Sequence, residues 1–184
     1  MAPGCGYSAL RRQRGADMET DWAGRHVFVT GATGFIGLRL VHALNRAGAV
    51  VTVLSRSRAS LAGLPQAVRT KIDSMTDPTA MGKALAGQEI VFNLAYDVRA
   101  TAAENLGAFD ILLTAARKAG VARIVHTSSI VVYDAWPGAD CLESGTMDRP
   151  GGSPYRQAKI EMERRLMTGS MPAAILQATI VLGP

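Results

Sequence analysis

Short apolar runs alternate along this chain with longer segments in which apolar residues recur at helical spacing. The runs cover residues 26–30, 50–54, 89–95, 123–128 and 173–182, with a weaker one at 69–73, and the helical segments cover 35–44, 78–85, 101–119 and 154–167. Nearly continuous apolar runs are typical of strands that are buried on both faces of a parallel sheet. Their alternation with helices predicts an α/β fold: a doubly wound, mostly parallel sheet with helices on both faces.

Three glycines lie at the junction of the first predicted strand and the first predicted helix. Gly31 can adopt the positive φ of a sharp turn, Gly34 lets the backbone approach a pyrophosphate, and Gly37 lets the helix pack closely against the strand. The helix N-terminus then offers free N–H groups and a partial positive charge to phosphates. A plain turn with a helix cap is the alternative, but the flanking strand and helix favour a dinucleotide site.

The end of the second predicted strand bears on which dinucleotide is bound. An acidic residue usually stands here to accept hydrogen bonds from the adenosine ribose, whereas this chain has Ser55 and Arg56. Because a planar guanidinium suits a phosphate better than a neutral ribose, Arg56 favours NADP(H) over NAD(H). A solvated arginine is the alternative. Asp73, at the end of the third strand, could hold the adenine amino group or could be an ordinary turn residue.

Tyr155 and Lys159 stand four residues apart near the start of the last predicted helix, so their side chains share one face. A neighbouring ammonium favours a phenolate and lowers a phenol's pKa from its usual value of about 10. Ser129, at the end of the fifth strand, could donate a hydrogen bond to a substrate oxygen that Tyr155 protonates or deprotonates. Together the three residues predict an acid–base site beside the dinucleotide.

The segment over residues 129–152 is irregular and rich in proline and glycine. It lies beyond the carboxyl end of a central predicted strand, and ligands of doubly wound sheets bind at that edge. We therefore expect this segment to form a wall of the substrate site and not a linker.

Composition excludes several other classes of function. The net charge of +5 comes from basic residues that are scattered apart from Arg11, Arg12 and Arg14, so no nucleic-acid partner is expected. Two cysteines and three isolated histidines give no metal-ligand spacing, and no metal is expected. Residues 1–24 are expected to be a flexible tail before a single domain over 25–184. With no signal peptide and no membrane-length apolar run, the expected location is cytoplasmic, without a membrane partner.

Several motifs together resemble the extended short-chain dehydrogenase/reductases, in their branch of NAD(P)-dependent sugar epimerases and dehydratases. The resembling segments are Thr30-Gly31-Ala32-Thr33-Gly34-Phe35-Ile36-Gly37, Asn93-Leu94-Ala95, Thr127-Ser128-Ser129-Ile130-Val131-Val132-Tyr133 and Tyr155-Arg156-Gln157-Ala158-Lys159. The resemblance implies a Rossmann-like fold, catalysis by Ser129, Tyr155 and Lys159, and a proton-relay position for Asn105. The expected cofactor contacts, including those above, are Gly31, Thr33, Gly34, Phe35, Ile36, Gly37, Ser55, Arg56, Asp73, Leu94, Ala95, Tyr155 and Lys159.

The reaction that the resemblance implies is hydride transfer between a nicotinamide and a hydroxyl-bearing carbon, with a nucleotide sugar as the leading substrate class. An epimerase is the first expectation, and an NADPH-dependent carbonyl reductase and a non-catalytic dinucleotide-binding module are the alternatives. Ile130 and Val131 stand where the family's sugar dehydratases carry an Asp-Glu pair, which disfavours dehydration.

The chain also departs from the family pattern. Asp134 stands where a glycine commonly follows the Val-Tyr pair, and Gln177-Ala178 replaces an Arg-Pro pair. Family members continue past the final Gly-Pro into a smaller substrate-binding region, so this chain is expected to lack that region and to bind NADP(H) with little turnover. The resemblance also implies a homodimer through the helices that carry Asn105 and Tyr155. The candidate contacts are apolar residues such as Ile160, Met162 and Leu166, although some of them must face the sheet instead.

Overall fold

The computed structural model describes residues 22–138 and 141–182. The tail expected over residues 1–24 therefore lies outside the described residues, except for its last three. Of those three, Trp22 packs against the core, with its ring centroid 5.9 Å from that of Phe92. The domain boundary at residue 25 stays a prediction.

Strands and helices alternate through the described residues as the sequence predicts. The strands are β1 (His26–Thr30), β2 (Val50–Ser55), β3 (Arg69–Ile72), β4 (Ile90–Asn93), β5 (Arg123–Ser129) and β6 (Ala173–Ala178). The helices are α1 (Phe35–Arg46), α2 (Pro78–Leu85), α3 (Ala102–Ala119) and α4 (Pro154–Thr168), and short 3₁₀ turns cover Ala59–Leu61 and Ile130–Val132. Each predicted element is present with its ends shifted by at most a few residues.

The six strands form one parallel sheet in the order β3-β2-β1-β4-β5-β6. The strand order reverses between β1 and β4, which are neighbours in the sheet although β2 and β3 lie between them in sequence. This confirms the predicted Rossmann-like, doubly wound fold. Its ligand crevice is expected outside the carboxyl ends of β1 and β4.

Two strands end at least two residues before their predicted ends, each for a local reason. β4 ends at Asn93 and not at residue 95, because the next two N–H groups donate to the Thr30 hydroxyl at 3.1 and 3.2 Å instead of to a neighbouring strand. β6 ends at Ala178 and not at residue 182, because Ala178 pairs with Ser129, the last residue of β5. No neighbouring strand in the described residues continues the ladder beyond that pair.

Side chains at three helix starts accept hydrogen bonds from N–H groups that have no partner within the helix. Asp77 caps α2, Ser153 caps α4, and Thr101 with Glu104 forms a capping box at α3. α1 differs, because the residue at its N-cap is Gly34, which has no side chain to accept a bond. Among the four described helices, α1 therefore begins without a side-chain cap.

The core lies on both faces of the sheet, so helices cover both sides as predicted. On one face α1 packs over β1 and β2, through Val41 and Leu44 against Val27, Val29 and Val53. On the other face the helices α2, α3 and α4 pack together over β1, β4 and β5; the buried residues there include Phe28, Met81, Leu85, Val91, Phe109, Leu112, Ile124, Met162 and Leu166. No helix within the described ranges combines the length and apolar character needed to cross a membrane.

The stripe of α4 that was expected to contact a second copy is buried within the chain. Ile160 packs against Val132 and Tyr133, while Met162 and Leu166 join the cluster beneath α2 and α3. The prediction of these three residues as dimer contacts is therefore wrong, because the sheet and its loop take the apolar face of the helix. The homodimer itself stays a prediction.

Candidate functional site

A groove of about 730 Å³ runs along the carboxyl ends of β1 to β4. Its volume lies in the range of about 300–1,000 Å³ that is usual for small-molecule and cofactor sites. Its lining includes the predicted residues Gly31, Thr33, Gly34, Ser55, Arg56, Asp73, Leu94, Ala95 and Asn105. The other predicted residues, Phe35, Ile36, Gly37, Ser129, Tyr155 and Lys159, lie outside this lining.

Backbone atoms of the turn between β1 and α1 approach each other closely. Gly31 has a φ of +66°, and a Cβ on Gly37 would lie 2.1 Å from the Gly31 carbonyl oxygen, so both positions require glycine. At Gly34, by contrast, a Cβ would meet that same oxygen at 3.3 Å and no other atom of the described residues within 4 Å. α1 has no acidic residue in its first turn. The turn therefore fits an anionic pyrophosphate.

Three predicted cofactor residues lie in the first turn of α1. The side chains of Phe35 and Ile36 are exposed, and the Arg39 guanidinium lies 4.1 Å from the centre of the Phe35 ring. Gly37 is buried beneath the turn. A contact of Phe35 or Ile36 with a dinucleotide would thus involve the backbone. Gly37 has a different role, because its missing side chain lets α1 pack closely against the turn.

The residues after β2 and β3 already bond to their neighbours. Arg56, whose side chain is 79% exposed, forms a 3.0 Å ion pair with Asp97 across the groove. The Ser55 hydroxyl donates to the Ser57 carbonyl oxygen at 3.1 Å, and Asp73 accepts a hydrogen bond from the following N–H group. A 2′-phosphate at Arg56 would therefore compete with the Asp97 carboxylate.

Three buried side chains connect the carboxyl-end halves of β1, β4 and β5. Thr30 donates to Asn93 Oδ1 at 2.7 Å, and Asn93 Nδ2 donates to His126 Nδ1 at 3.0 Å, which assigns the proton of the neutral ring to Nε2. Burial, then the charge of Lys159, lowers the pKa of His126 to about 3. His126 is thus a neutral core residue. In the ranges 22–138 and 141–182, no group of three or more acidic, histidine or cysteine side chains is placed to hold a metal ion.

Asn105 anchors the segment between β4 and α3. Its Oδ1 accepts from the Asp97 N–H at 2.9 Å, and its Nδ2 donates to the carbonyl oxygens of Asp97 and Thr101 at 2.9 and 3.0 Å. These bonds fix the loop that carries Tyr96. The proton-relay role of Asn105 stays a prediction.

Tyr155 and Lys159 of α4 meet Tyr96 of that loop. The rings of Tyr96 and Tyr155 pack edge to face with centroids 4.9 Å apart, and Lys159 Nζ lies 5.3 and 5.7 Å from their centres. Lys159 Nζ also donates to the Thr127 carbonyl oxygen at 2.8 Å. Burial lowers the pKa of Lys159 to about 8, although the charge of Glu163 acts to raise it. The fold therefore holds a buried ammonium beside two phenols.

Ser129 ends β5, two residues after the carbonyl group that binds Lys159. It is partly buried, and its hydroxyl oxygen accepts a hydrogen bond from the Val131 N–H at 3.4 Å. Within the described residues, this hydroxyl donates to no partner. Ser129 is thus positioned at the carboxyl edge of the sheet with a free donor.

An ion pair that the sequence did not predict fastens the loop after β5 to α4. Arg156 is buried, and its guanidinium donates to Asp134 Oδ1 at 2.6 Å and to the Val131 and Val132 carbonyl oxygens at 3.0 and 3.1 Å. Burial acts to raise the pKa of Asp134, but the Thr146 hydroxyl, two backbone N–H groups and the Arg156 charge together hold it below its usual value. The Asp134 departure from the family pattern therefore shapes the expected substrate wall.

Three residues near this site were missed by sequence reasoning. Tyr96 and Asp97 directly follow the Asn93-Leu94-Ala95 motif, and the rule that ligands bind at the carboxyl edge could have found them. Glu163 stands four residues after Lys159, and helical spacing could have found it.

Comparison with known proteins decides the family. Residues 31–181 match the family described as NAD(P)H-binding. This chain belongs to the NAD(P)H-binding family. The expected nicotinamide dinucleotide cofactor is therefore confirmed at the level of the family, and so is the resemblance to the short-chain dehydrogenase/reductases.

Relatives of this NAD(P)H-binding chain are longer than it is. Sterol demethylase protein B of Methylococcus capsulatus is 29% identical over 168 residues, covering 85% of this chain and 51% of that protein. A dTDP-4-dehydro-6-deoxy-D-allose reductase of Streptomyces is 37% identical over 134 residues, covering 63% and 41%. A short-chain dehydrogenase/reductase superfamily protein of Agrobacterium tumefaciens, solved with bound NAD, has a TM-score of 0.68 at 25% identity, covering 83% and 48%. The chain thus spans about half the length of the relatives it matches.

Proposed function

We propose that this NAD(P)H-binding chain transfers hydride between NADP(H) and a carbon that bears a hydroxyl or carbonyl oxygen, with Tyr155 exchanging the proton. The observation that carries the proposal is the position of Tyr96. Its side chain lines the cofactor groove and also contacts Tyr155 edge to face at 4.9 Å. The acid–base pair therefore stands at the edge of the groove that suits a dinucleotide.

Each part of the site has a distinct role in this proposal. The turn residues Gly31, Thr33 and Gly34 bind the pyrophosphate, and the backbone at Leu94 and Ala95 borders the middle of the dinucleotide. When bound, the cofactor supplies or accepts the hydride. The Ser129 hydroxyl, whose hydrogen is free, donates to the substrate oxygen.

Lys159 prepares Tyr155 for proton exchange. Its ammonium lies 5.7 Å from the centre of the Tyr155 ring, and the Lys159 side chain is buried. Charges interact more strongly in a buried site than in water. Protonated Lys159 therefore stabilises negative charge on the phenol oxygen while the substrate proton is transferred.

Tyr155→Phe tests the acid–base role. Removing a general acid–base group costs about 10²–10⁴-fold in rate, so NADPH oxidation by a longer form of the protein that turns over substrate should fall by that factor, while NADPH binding persists. Tyr133→Phe is the matched control, because its hydroxyl donates to a loop carbonyl at 3.2 Å outside the groove. A Tyr155→Phe variant with the rate of Tyr133→Phe would remove Tyr155 from the mechanism.

Arg56 is proposed to select NADP(H). Arg56→Gln should weaken NADPH binding by about 10-fold or more, since a charge-assisted bond contributes about 1.5–3 kcal/mol, and should leave NADH binding nearly unchanged. Arg58→Gln, an exposed arginine in the same turn, is the control. Equal loss of NADH and NADPH affinity in Arg56→Gln, measured by fluorescence titration, would contradict the selection of the 2′-phosphate.

A nucleotide sugar is the first substrate class, because the chain is 37% identical to a dTDP-sugar reductase over 134 residues. A sterol-like ring ketone is the second, because the name of another relative refers to sterol demethylation. NADPH consumption with dTDP-4-dehydro-6-deoxy-D-allose and with a 3-ketosteroid, measured in the same assay, separates the two. Consumption with neither compound, by this chain and by any longer form of the protein, would count against both.

A further inference from the structure

Two buried side chains of opposite charge lie one helical turn apart on α4. Lys159 is 3% exposed and Glu163 is 1% exposed. Their spacing of four residues places both on the face of α4 that packs against the sheet. Burying a charge is costly unless an opposite charge or hydrogen bonds compensate, so two such neighbours have to be considered together.

Glu163 uses only half of its carboxylate in hydrogen bonds. Its Oε2 accepts from Gln177 Nε2 of β6 at 3.0 Å, and its Oε1 is buried without a hydrogen-bond partner among the described residues. The negative charge of Glu163 also acts on Tyr133. Burial is the larger cause that raises the pKa of Tyr133, and the charge of Glu163 raises it further. A carboxylate with an unbonded buried oxygen needs a nearby positive charge.

Among the residues that the structure describes, Glu163 is the one acidic group whose charge acts on Lys159. The titratable groups that face it within the described residues are His126 from β5, Tyr96 from the loop after β4, and Tyr155 and Glu163 from α4. His126 is neutral because burial and the Lys159 charge lower its pKa to about 3. Burial raises the pKa of Tyr96. Glu163 is thus the counter-charge of Lys159.

We infer that Glu163 is a positioning residue whose buried carboxylate keeps Lys159 protonated near neutral pH and thereby sets the pH range of the Tyr155–Lys159 pair. The link to Tyr155 rests on the proposed function, whereas the link between Glu163 and Lys159 does not. Burial already lowers the pKa of Lys159 to about 8, so loss of the opposing charge would bring this lysine into the neutral range.

The protonation of Lys159 can be followed directly. The chain has four lysines, Lys71, Lys83, Lys118 and Lys159, so lysine labelled at Cε gives four NMR signals, and Lys159→Arg identifies the relevant one. In Glu163→Gln the amide oxygen can still accept from Gln177. The pKa of Lys159 is expected to fall by about one unit or more in this variant, because an opposite charge nearby typically shifts a pKa by about 1–3 units.

Glu161→Gln is the matched control. It removes the same charge from the same helix, but the Glu161 side chain is 41% exposed and pairs with Arg165. The Lys159 pKa should stay at its wild-type value in this variant. An equal Lys159 pKa in wild type, Glu161→Gln and Glu163→Gln would overturn the inference.

The wild-type protein provides a second measurement in case Glu163→Gln does not fold. The carboxyl carbon signal of Glu163 should show an ionised group at pH 7, and the Lys159 signal should shift when Glu163 is protonated in acid. A Glu163 that is neutral at pH 7 would overturn the inference. Neither measurement needs turnover, so an active Tyr155→Phe variant would refute the proposed acid–base role and leave this inference standing.

Discussion

Gly37 and Gly107 allow the same substitution, glycine to alanine, to be tested with opposite expected outcomes. Both lie inside helices, Gly37 in α1 and Gly107 in α3. A Cβ on Gly37 would lie 2.1 Å from the Gly31 carbonyl oxygen and 2.8 Å from Ala32 Cα, both of them backbone atoms. A Cβ on Gly107 would meet no atom of the described part of the chain within 4 Å.

The expected free-energy changes follow from these distances. Overpacking typically lowers the free energy of unfolding by about 1–3 kcal/mol. Because the backbone of a tight turn cannot move aside as a side chain can, Gly37→Ala should lower it by about 3 kcal/mol or more. Gly107→Ala should increase the free energy of unfolding by about 0.5–1 kcal/mol, because alanine loses less conformational freedom in a helix interior. For a chain of this size the second change raises Tm by roughly 1–4 °C.

Urea unfolding followed by circular dichroism measures both changes, and NADPH titration measures their effect on the groove. Gly37→Ala should lower the urea midpoint and weaken NADPH binding, because α1 must move away from the turn that forms the phosphate site. Gly107→Ala should raise the midpoint and leave binding unchanged. A Gly37→Ala variant as stable as wild type, with the same dependence on urea, would refute the close-packing argument.

Two further perturbations test the buried polar contacts. Thr30→Val should lower the free energy of unfolding by about 1–3 kcal/mol, because it leaves Asn93 Oδ1 and two N–H groups without their partner. Urea unfolding measures this loss. Thr52→Val is the control and should lose less, because the Thr52 hydroxyl accepts a single bond, from Gln88. Asp134→Asn should lower Tm at pH 7: the pKa of Asp134 is lowered in the folded state, so its contribution is present above the ordinary value of about 4 and is lost as pH falls through the folded value. The difference in Tm between Asp134→Asn and wild type should therefore stay constant from about pH 7 to pH 5 and should shrink as the pH falls below about 4. A difference in Tm that grows in acid would contradict the ion pair with Arg156.

The sequence by itself determined the order of the elements and the character of the phosphate turn. Hydrophobic periodicity is a local property, so it predicted six strands and four helices, and the alternation restricted the sheet to a doubly wound form. Gly31 and Gly37 were recognisable because glycine is the residue that fits both requirements of this turn: a positive φ at Gly31 and close backbone packing at Gly37. Tyr155 and Lys159 were recognisable because four residues are about one helical turn.

Only the tertiary structure decided which distant residues meet. Helical spacing places Ile160 and Met162 on one face, but whether that face meets the sheet or a second copy depends on the whole chain, and here it meets the sheet and its loop.

The contacts of Arg56 with Asp97 and of Tyr96 with Tyr155 join residues 41 and 59 positions apart. Such pairs are set by the order in which the strands lie side by side, because that order brings the carboxyl ends of β2, β4 and β5 to one edge. Local periodicity contains no record of strand order, so the partners of Arg56 and Tyr155 could be known only from the folded chain.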